Sequence, residues 1–69
     1  MEFSFGQLLK QLRIESEFSQ AKLAQLLSTS QDTVSLWENG KSYPDFWNIK
    51  KIAEIFEVSA DYLLGIKEY

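Results

Sequence analysis

Apolar residues recur along this chain at helical spacing, and nowhere in the strict alternation of a half-buried strand. Phe5, Leu8, Leu9 and Leu12 fall on one side of a helix turning 100° per residue. Ile49, Ile52, Ala53 and Phe56 repeat the i, i+3, i+4, i+7 stripe later in the chain. Between these stripes lie Leu23-Ala24 and the pair Val34 and Trp37, each in a segment too short to bury its own apolar side. Start signals precede every segment. Ser4, Ser19, Ser30, Asp45 and Ser59 are N-cap residues, whose side-chain oxygens accept from the unpaired N–H groups of a first helical turn. Ser4 with Gln7 forms a capping box, and three apolar pairs flank caps as staples: Phe3 with Leu8, Phe18 with Leu23, Val58 with Leu63. Asn39-Gly40 and Gly65 stop helices, and Pro44 disfavours helix at Tyr43. Five helices are predicted: Phe5 to Ser16, Gln20 to Leu27, Gln31 to Asn39, Phe46 to Phe56 and Ala60 to Leu64. The expected class is all-α.

Length and composition narrow the chemistry. The 69 residues leave room for a single domain, expected over residues 1–69, and a 45% hydrophobic content suits a globular one. The absence of cysteine and histidine removes disulfides, thiolate metal sites and the usual nucleophile–base pairs. Nothing resembles a phosphate-binding glycine loop or metal-ligand spacing, so an enzyme is not expected, nor a metal, a cofactor or a small-molecule ligand. Glu15 and Glu17 read as exposed helix-end charges. No apolar run approaches a membrane span, and Met1 to Phe5 lacks the basic start of a signal peptide, which makes the cytoplasm the expected address.

Charge complicates the picture. Seven basic residues face ten acidic ones, a net −3, and neither half of the chain is basic. A nucleic-acid binder usually offers a positive face, because phosphate neutralisation supplies most of its affinity. Any such surface here must be assembled locally.

Two short helices joined by a tight turn, over residues 19 to 40, form the arrangement of a helix-turn-helix, whose second helix enters the DNA major groove. Around this unit run Phe5-Gly6, Leu12-Arg13, Ser19-Gln20, Leu23-Ala24, Trp37-Glu38-Asn39-Gly40-Lys41, Tyr43-Pro44-Asp45, Phe56, Val58-Ser59 and Asp61-Tyr62-Leu63-Leu64-Gly65. In this order and spacing the chain resembles the lambda-repressor-like, or XRE, family over nearly its whole length. The resemblance implies a five-helix bundle with the helix-turn-helix at helices 2 and 3. It also implies an ion pair between Arg13 and Glu38, with two solvated charges as the plain alternative. Ala24 lies where helices 2 and 3 cross and a small side chain is needed. The chain departs from the family where relatives often carry glycine at helix ends: Glu17, Ser28 and Glu57 stand there. If those positions are left-handed, each costs on the order of 1 kcal/mol.

With Val34 and Trp37 facing the core, the outward side of helix 3 falls on Asp32, Ser35, Leu36 and Asn39, with Gln31 at its edge. Gln31 suits the N6/N7 edge of adenine, Leu36 a thymine methyl, and Asp32 can accept from cytosine N4 though phosphates repel it. Asp32 also has a plain role in complementing the helix dipole. No Lys or Arg occurs from Ser30 to Asn39, so phosphate contacts are expected from the flanks. The resemblance assigns them to Gln20 and Asn39; Lys22, Lys41 and Ser42 lie close in sequence, and Thr33 offers a hydroxyl. Ser30 completes the candidate DNA-contacting set. Gln20 also has a plain reading as a good first-turn residue. Trp47 is open to two readings, an indole N–H on a phosphate or packing in the structure or an interface, with packing favoured. Lys50 and Lys51 read as the solvated side of helix 4.

The expected function is sequence-specific binding of double-stranded DNA by a transcriptional regulator, as a repressor that occludes a promoter. One monomer reads few bases, so a homodimer on a palindromic operator is expected, paired through helices 4 and 5 and the tail Ile66 to Tyr69 or through a further part of a longer protein. The alternative on the same fold is a protein-interaction module, an antitoxin or antirepressor-like partner with little DNA affinity. The net negative charge and the Asp32/Leu36 pair favour that alternative; Gln20, Gln31, Asn39 and Lys41 oppose it.

Overall fold

Five serine and aspartate caps set where the helices begin. In the computed structural model, which describes residues 4–65, the helices are α1 (Phe5–Glu15), α2 (Gln20–Leu26), α3 (Gln31–Glu38), α4 (Phe46–Phe56) and α5 (Ala60–Leu63). Each opens on its expected cap, whose side-chain oxygen accepts a backbone N–H three residues on. At α1 the box is complete: the Gln7 N–H donates to Ser4 Oγ (3.2 Å) and the Ser4 N–H to Gln7 Oε1 (3.1 Å). The staple proposed for Phe3 lies outside the described residues, as does the tail Ile66 to Tyr69.

Four helices end one residue earlier than the sequence suggests. Ser16, Leu27, Asn39 and Leu64 are C-caps, with ψ near zero. The residue after each C-cap is left-handed, and at α1, α2 and α3 a pair of reversed hydrogen bonds then closes the end. At α1 the Glu17 N–H donates to the Ile14 carbonyl (2.9 Å) and the Phe18 N–H to that of Arg13 (3.0 Å). Helix α4 closes the same way, with Val58 N–H on the Ala53 carbonyl at 3.0 Å. The left-handed residues include all three non-glycines flagged by the sequence: Glu17 (φ 60°), Ser28 (56°) and Glu57 (56°). Gly40 and Gly65 hold the corresponding positions after α3 and α5. The turns are therefore kept in the conformation glycine favours, and side chains carry the strain.

The core draws one fully buried residue from every helix: Leu9, Leu23, Val34, Ile52 and Leu63. Burying a side chain of this size stabilises by roughly 1.5–3 kcal/mol. No two-helix fragment could assemble such a centre, which is why α2 and α3 can be short only within the bundle. Leu8, Ala24, Leu27, Trp37 and Ile49 extend it, and Phe5, Leu12, Ala53, Phe56, Val58 and Tyr62 pack around its rim. Ala24 is buried beside the α2–α3 contact, as its small size requires. Among the described residues no helix is long and apolar enough to cross a membrane.

Candidate nucleic-acid interface

Helix α3 is held from beneath by groups that leave it little freedom. Val34 and Trp37 point into the core. Glu38, at the last turn, is buried as well, which a carboxylate tolerates only when charge and hydrogen bonds compensate it. Arg13 of α1 supplies both, donating from Nε to Oε2 (2.7 Å) and from Nη2 to Oε1 (3.1 Å). The two side chains are 11% and 3% exposed, so this is a buried, forked pair and not two solvated charges. Arg13 Nη1 donates further to the Phe18 carbonyl (2.8 Å), tying in the α1–α2 turn.

Gly6 completes the clamp, and its reason was not legible beforehand. A Cβ built there would lie 2.5 Å from the Trp37 and Glu38 carbonyl oxygens, so α1 approaches the end of α3 closer than any side chain allows. The signals in the sequence are a glycine inside a helix, where it costs about 1 kcal/mol relative to alanine, and its place in the family-like pair Phe5-Gly6.

The outer side of α3 is open. Gln31, Asp32, Leu36 and Asn39 are exposed, Leu36 by 44%. Ser35, expected outward, is half-buried, and Asn39 Nδ2 leans onto its Oγ at 3.3 Å. Thr33 is half-buried too, and its hydroxyl hydrogen-bonds that of the cap Ser30 at 2.8 Å. The groups free to present chemistry outward are thus the Gln31 amide, the Asp32 carboxylate and the Leu36 methyls. Lys22 and Lys41 are exposed on the flanks.

Gln20 departs most from expectation. Its amide does not face outward toward a ligand; Nε2 donates to Glu38 Oε1 at 3.0 Å, and the residue is half-buried. The buried carboxylate draws it in because Oε1 has room for a second donor.

The start of α4 exposes a pair of rings. Phe46 and Trp47 are 72% and 67% exposed and meet edge to face at 5.6 Å, with Lys50 Nζ 5.8 Å above the indole. Packing of Trp47 into the structure's interior is therefore excluded. Tyr43, also exposed, leans on Phe5 with centroids 6.4 Å apart. Lys50 and Lys51 are solvated. Among the described residues no three acidic side chains come together to hold a metal.

Comparison with known proteins gives this geometry its context. A helix-turn-helix family model matches residues 9–63. The HTH-type transcriptional activator BcrR of Enterococcus faecalis is 39% identical over 64 residues, covering 93% of this chain and 31% of that protein. The P22 c2 repressor, solved with a synthetic operator, superposes with a TM-score of 0.86 at 25% identity, covering 91% of this chain and 96% of that one. The hydroxypropylphosphonic acid epoxidase of S. wedmorenis superposes at 0.77 and 33% identity, but the match covers only 32% of the enzyme. The chain spans about a third to just over half the length of the curated relatives it matches.

Proposed function

The chain belongs to the helix-turn-helix family in its lambda-repressor-like branch, and we propose that it binds double-stranded DNA sequence-specifically and regulates transcription. The observation that carries this reading is α3 itself, a short helix locked on its inner side and lined outside by exposed Gln31, Asp32, Leu36 and Asn39. A base reader needs that combination, since contacts to base edges tolerate little misplacement of the scaffold. In this reading Gln31 reads an adenine, Leu36 a thymine methyl and Asp32 a cytosine amine. Asn39, Lys41, Lys22, Ser30, Ser35 and Thr33 complete the contact surface. The match to an epoxidase covers the helix-turn-helix region alone, and residues 1–69 act as one such module without catalysis.

The regulator acts as a repressor that occludes promoter elements in the cytoplasm, as a homodimer on a palindromic operator with half-sites about 34 Å apart. The exposed Phe46 and Trp47 support pairing near the start of α4. The same rings, with Leu36 and the net charge of −3, favour the second reading, a protein-interaction module with little DNA affinity.

The deciding experiment is selection of bound fragments from random genomic duplex at two salt concentrations, followed by sequencing. Salt-sensitive enrichment of a palindrome supports the regulator. With roughly three to five phosphate contacts per monomer, the dimer's log–log salt slope should be steep, and a slope near zero overturns the proposal. A folded protein that retains no duplex at low salt points to the partner-binding module.

A further inference from the structure

We propose that Phe46 and Trp47, side by side at the first turn of α4, are the contact through which two copies of this chain pair about a two-fold axis. The inference deepens the homodimer of the regulator reading and rests on that reading where DNA is concerned. The rings are 72% and 67% exposed and already meet edge to face at 5.6 Å, so they form one continuous apolar surface. Scattered exposed apolar residues need no explanation, but adjoining ones mark a contact site. Lys50 Nζ, 5.8 Å from the indole centroid, borders the pair.

Charge along α4 selects both the occupant and the register. From the cap onward the exposed positions run Asp45, Phe46, Trp47, Lys50, Lys51, Glu54. If two such helices crossed antiparallel at Lys50 and Lys51, four ammonium groups would meet. A crossing beyond Glu54 would gather Glu54 and Glu57 of both copies, which are exposed as well. Centred on Trp47, rings meet rings, and Lys50 of one copy comes within about 1.5 Å, along the helix axis, of Asp45 of the other. Symmetry repeats that opposite-charge pair on the far side of the rings. A surface that complements itself in this way fits a second copy. Its size sets the strength: four rings at this exposure would bury on the order of 500 Å², well under the roughly 1,200 Å² at which stable interfaces begin. The free protein therefore pairs weakly. On two half-sites of one duplex the local concentration is of millimolar order, enough to make the contact count.

Trp47→Gln, which removes a ring from the surface and keeps a good helix former, tests this with and without DNA. In the free wild type, amide chemical shifts from Tyr43 to Lys51 should move between millimolar and micromolar concentration. In the variant they should stay still, with its cooperative thermal transition retained. On the selected palindrome, two wild-type copies should bind about tenfold tighter than two independent half-sites allow. The variant should lose that gain and bind a single half-site as the wild type does. A variant that keeps the gain overturns the proposal, as do concentration-dependent shifts that map to α5 instead. Equal losses on half-site and full site also overturn it, and assign the rings to the DNA backbone. A wild-type protein that binds no duplex sinks the regulator reading instead, and the dilution series of the free protein then decides the pairing by itself.

Discussion

On its inner side α3 carries Val34, Trp37 and Glu38, all buried, each met by groups from other helices. On its outer side, one or two residues away, Gln31, Asp32, Leu36 and Asn39 meet solvent. Inside, shape and charge are over-determined: a forked arginine, a glutamine and a glycine that admits no Cβ converge on one turn. Outside, nothing in the fold demands these side chains. Asp32, in the first turn, complements the helix dipole, and Leu36 gains nothing from the fold by being exposed. The contrast separates residues that hold the helix in place from residues that, in the proposed reading, make it specific.

The sharpest way to break the inner side is to remove one member of the buried pair. Glu38→Ala should cost about 3–5 kcal/mol, because it leaves the Arg13 guanidinium buried without its counter-charge. Trp37→Ala should lose a similar amount, on the order of 3–5 kcal/mol, through the cavity it opens. Both are read by chemical denaturation, and a loss under about 1 kcal/mol for either would mean the clamp is looser than its geometry.

Gly6→Ala adds a single methyl group and should nonetheless destabilise by on the order of 3 kcal/mol, since the atoms it meets are backbone carbonyls that cannot turn away. A variant as stable as the wild type would show that α1 can slide off the end of α3.

The outer side answers to a different assay. Gln31→Ala should leave thermal stability within about 0.5 kcal/mol of the wild type. It should reduce discrimination between the selected site and random duplex by about 1–3 kcal/mol. Equal weakening on both DNAs would remove Gln31 from the base readers.

The smallest effect has the opposite sign. Ser28 sits at φ 56° in the turn between α2 and α3, so Ser28→Gly should raise stability by up to about 1 kcal/mol in the same denaturation assay. Destabilisation would indicate that glycine's freedom in the unfolded chain outweighs the relieved strain.

Much of this was legible in the sequence because it is local. Caps act over three residues, staples over five and helical stripes over eight, so Ser4, Ser19, Ser30, Asp45 and Ser59 announced every helix start. The predicted ends of α2 and α5 run one residue long, because an apolar side chain at Leu27 or Leu64 continues the stripe while its backbone is already leaving the helix. Glu17, Ser28 and Glu57 were identified as left-handed candidates only through comparison with a family's glycines; their own side chains give no such sign. For the candidate interface, periodicity found the outward face of α3 but set Ser35 too far out, since a hydrogen bond from Asn39 is invisible to angle counting.

The sequence by itself determined the five helices, the all-α class and the division of α3 into an inner and an outer side, all consequences of interactions between residues a few positions apart. The tertiary structure decided the partners. That Gly6 lies against the carbonyls of Trp37 and Glu38, that Gln20 turns its amide inward, and that Phe46 and Trp47 stay exposed depend on helices meeting across 18 to 32 positions of chain or on no helix meeting them at all. A glutamine at a helix start and a glycine within one look the same in sequence whether they face solvent or a buried carboxylate. Only packing brings the acceptor to them.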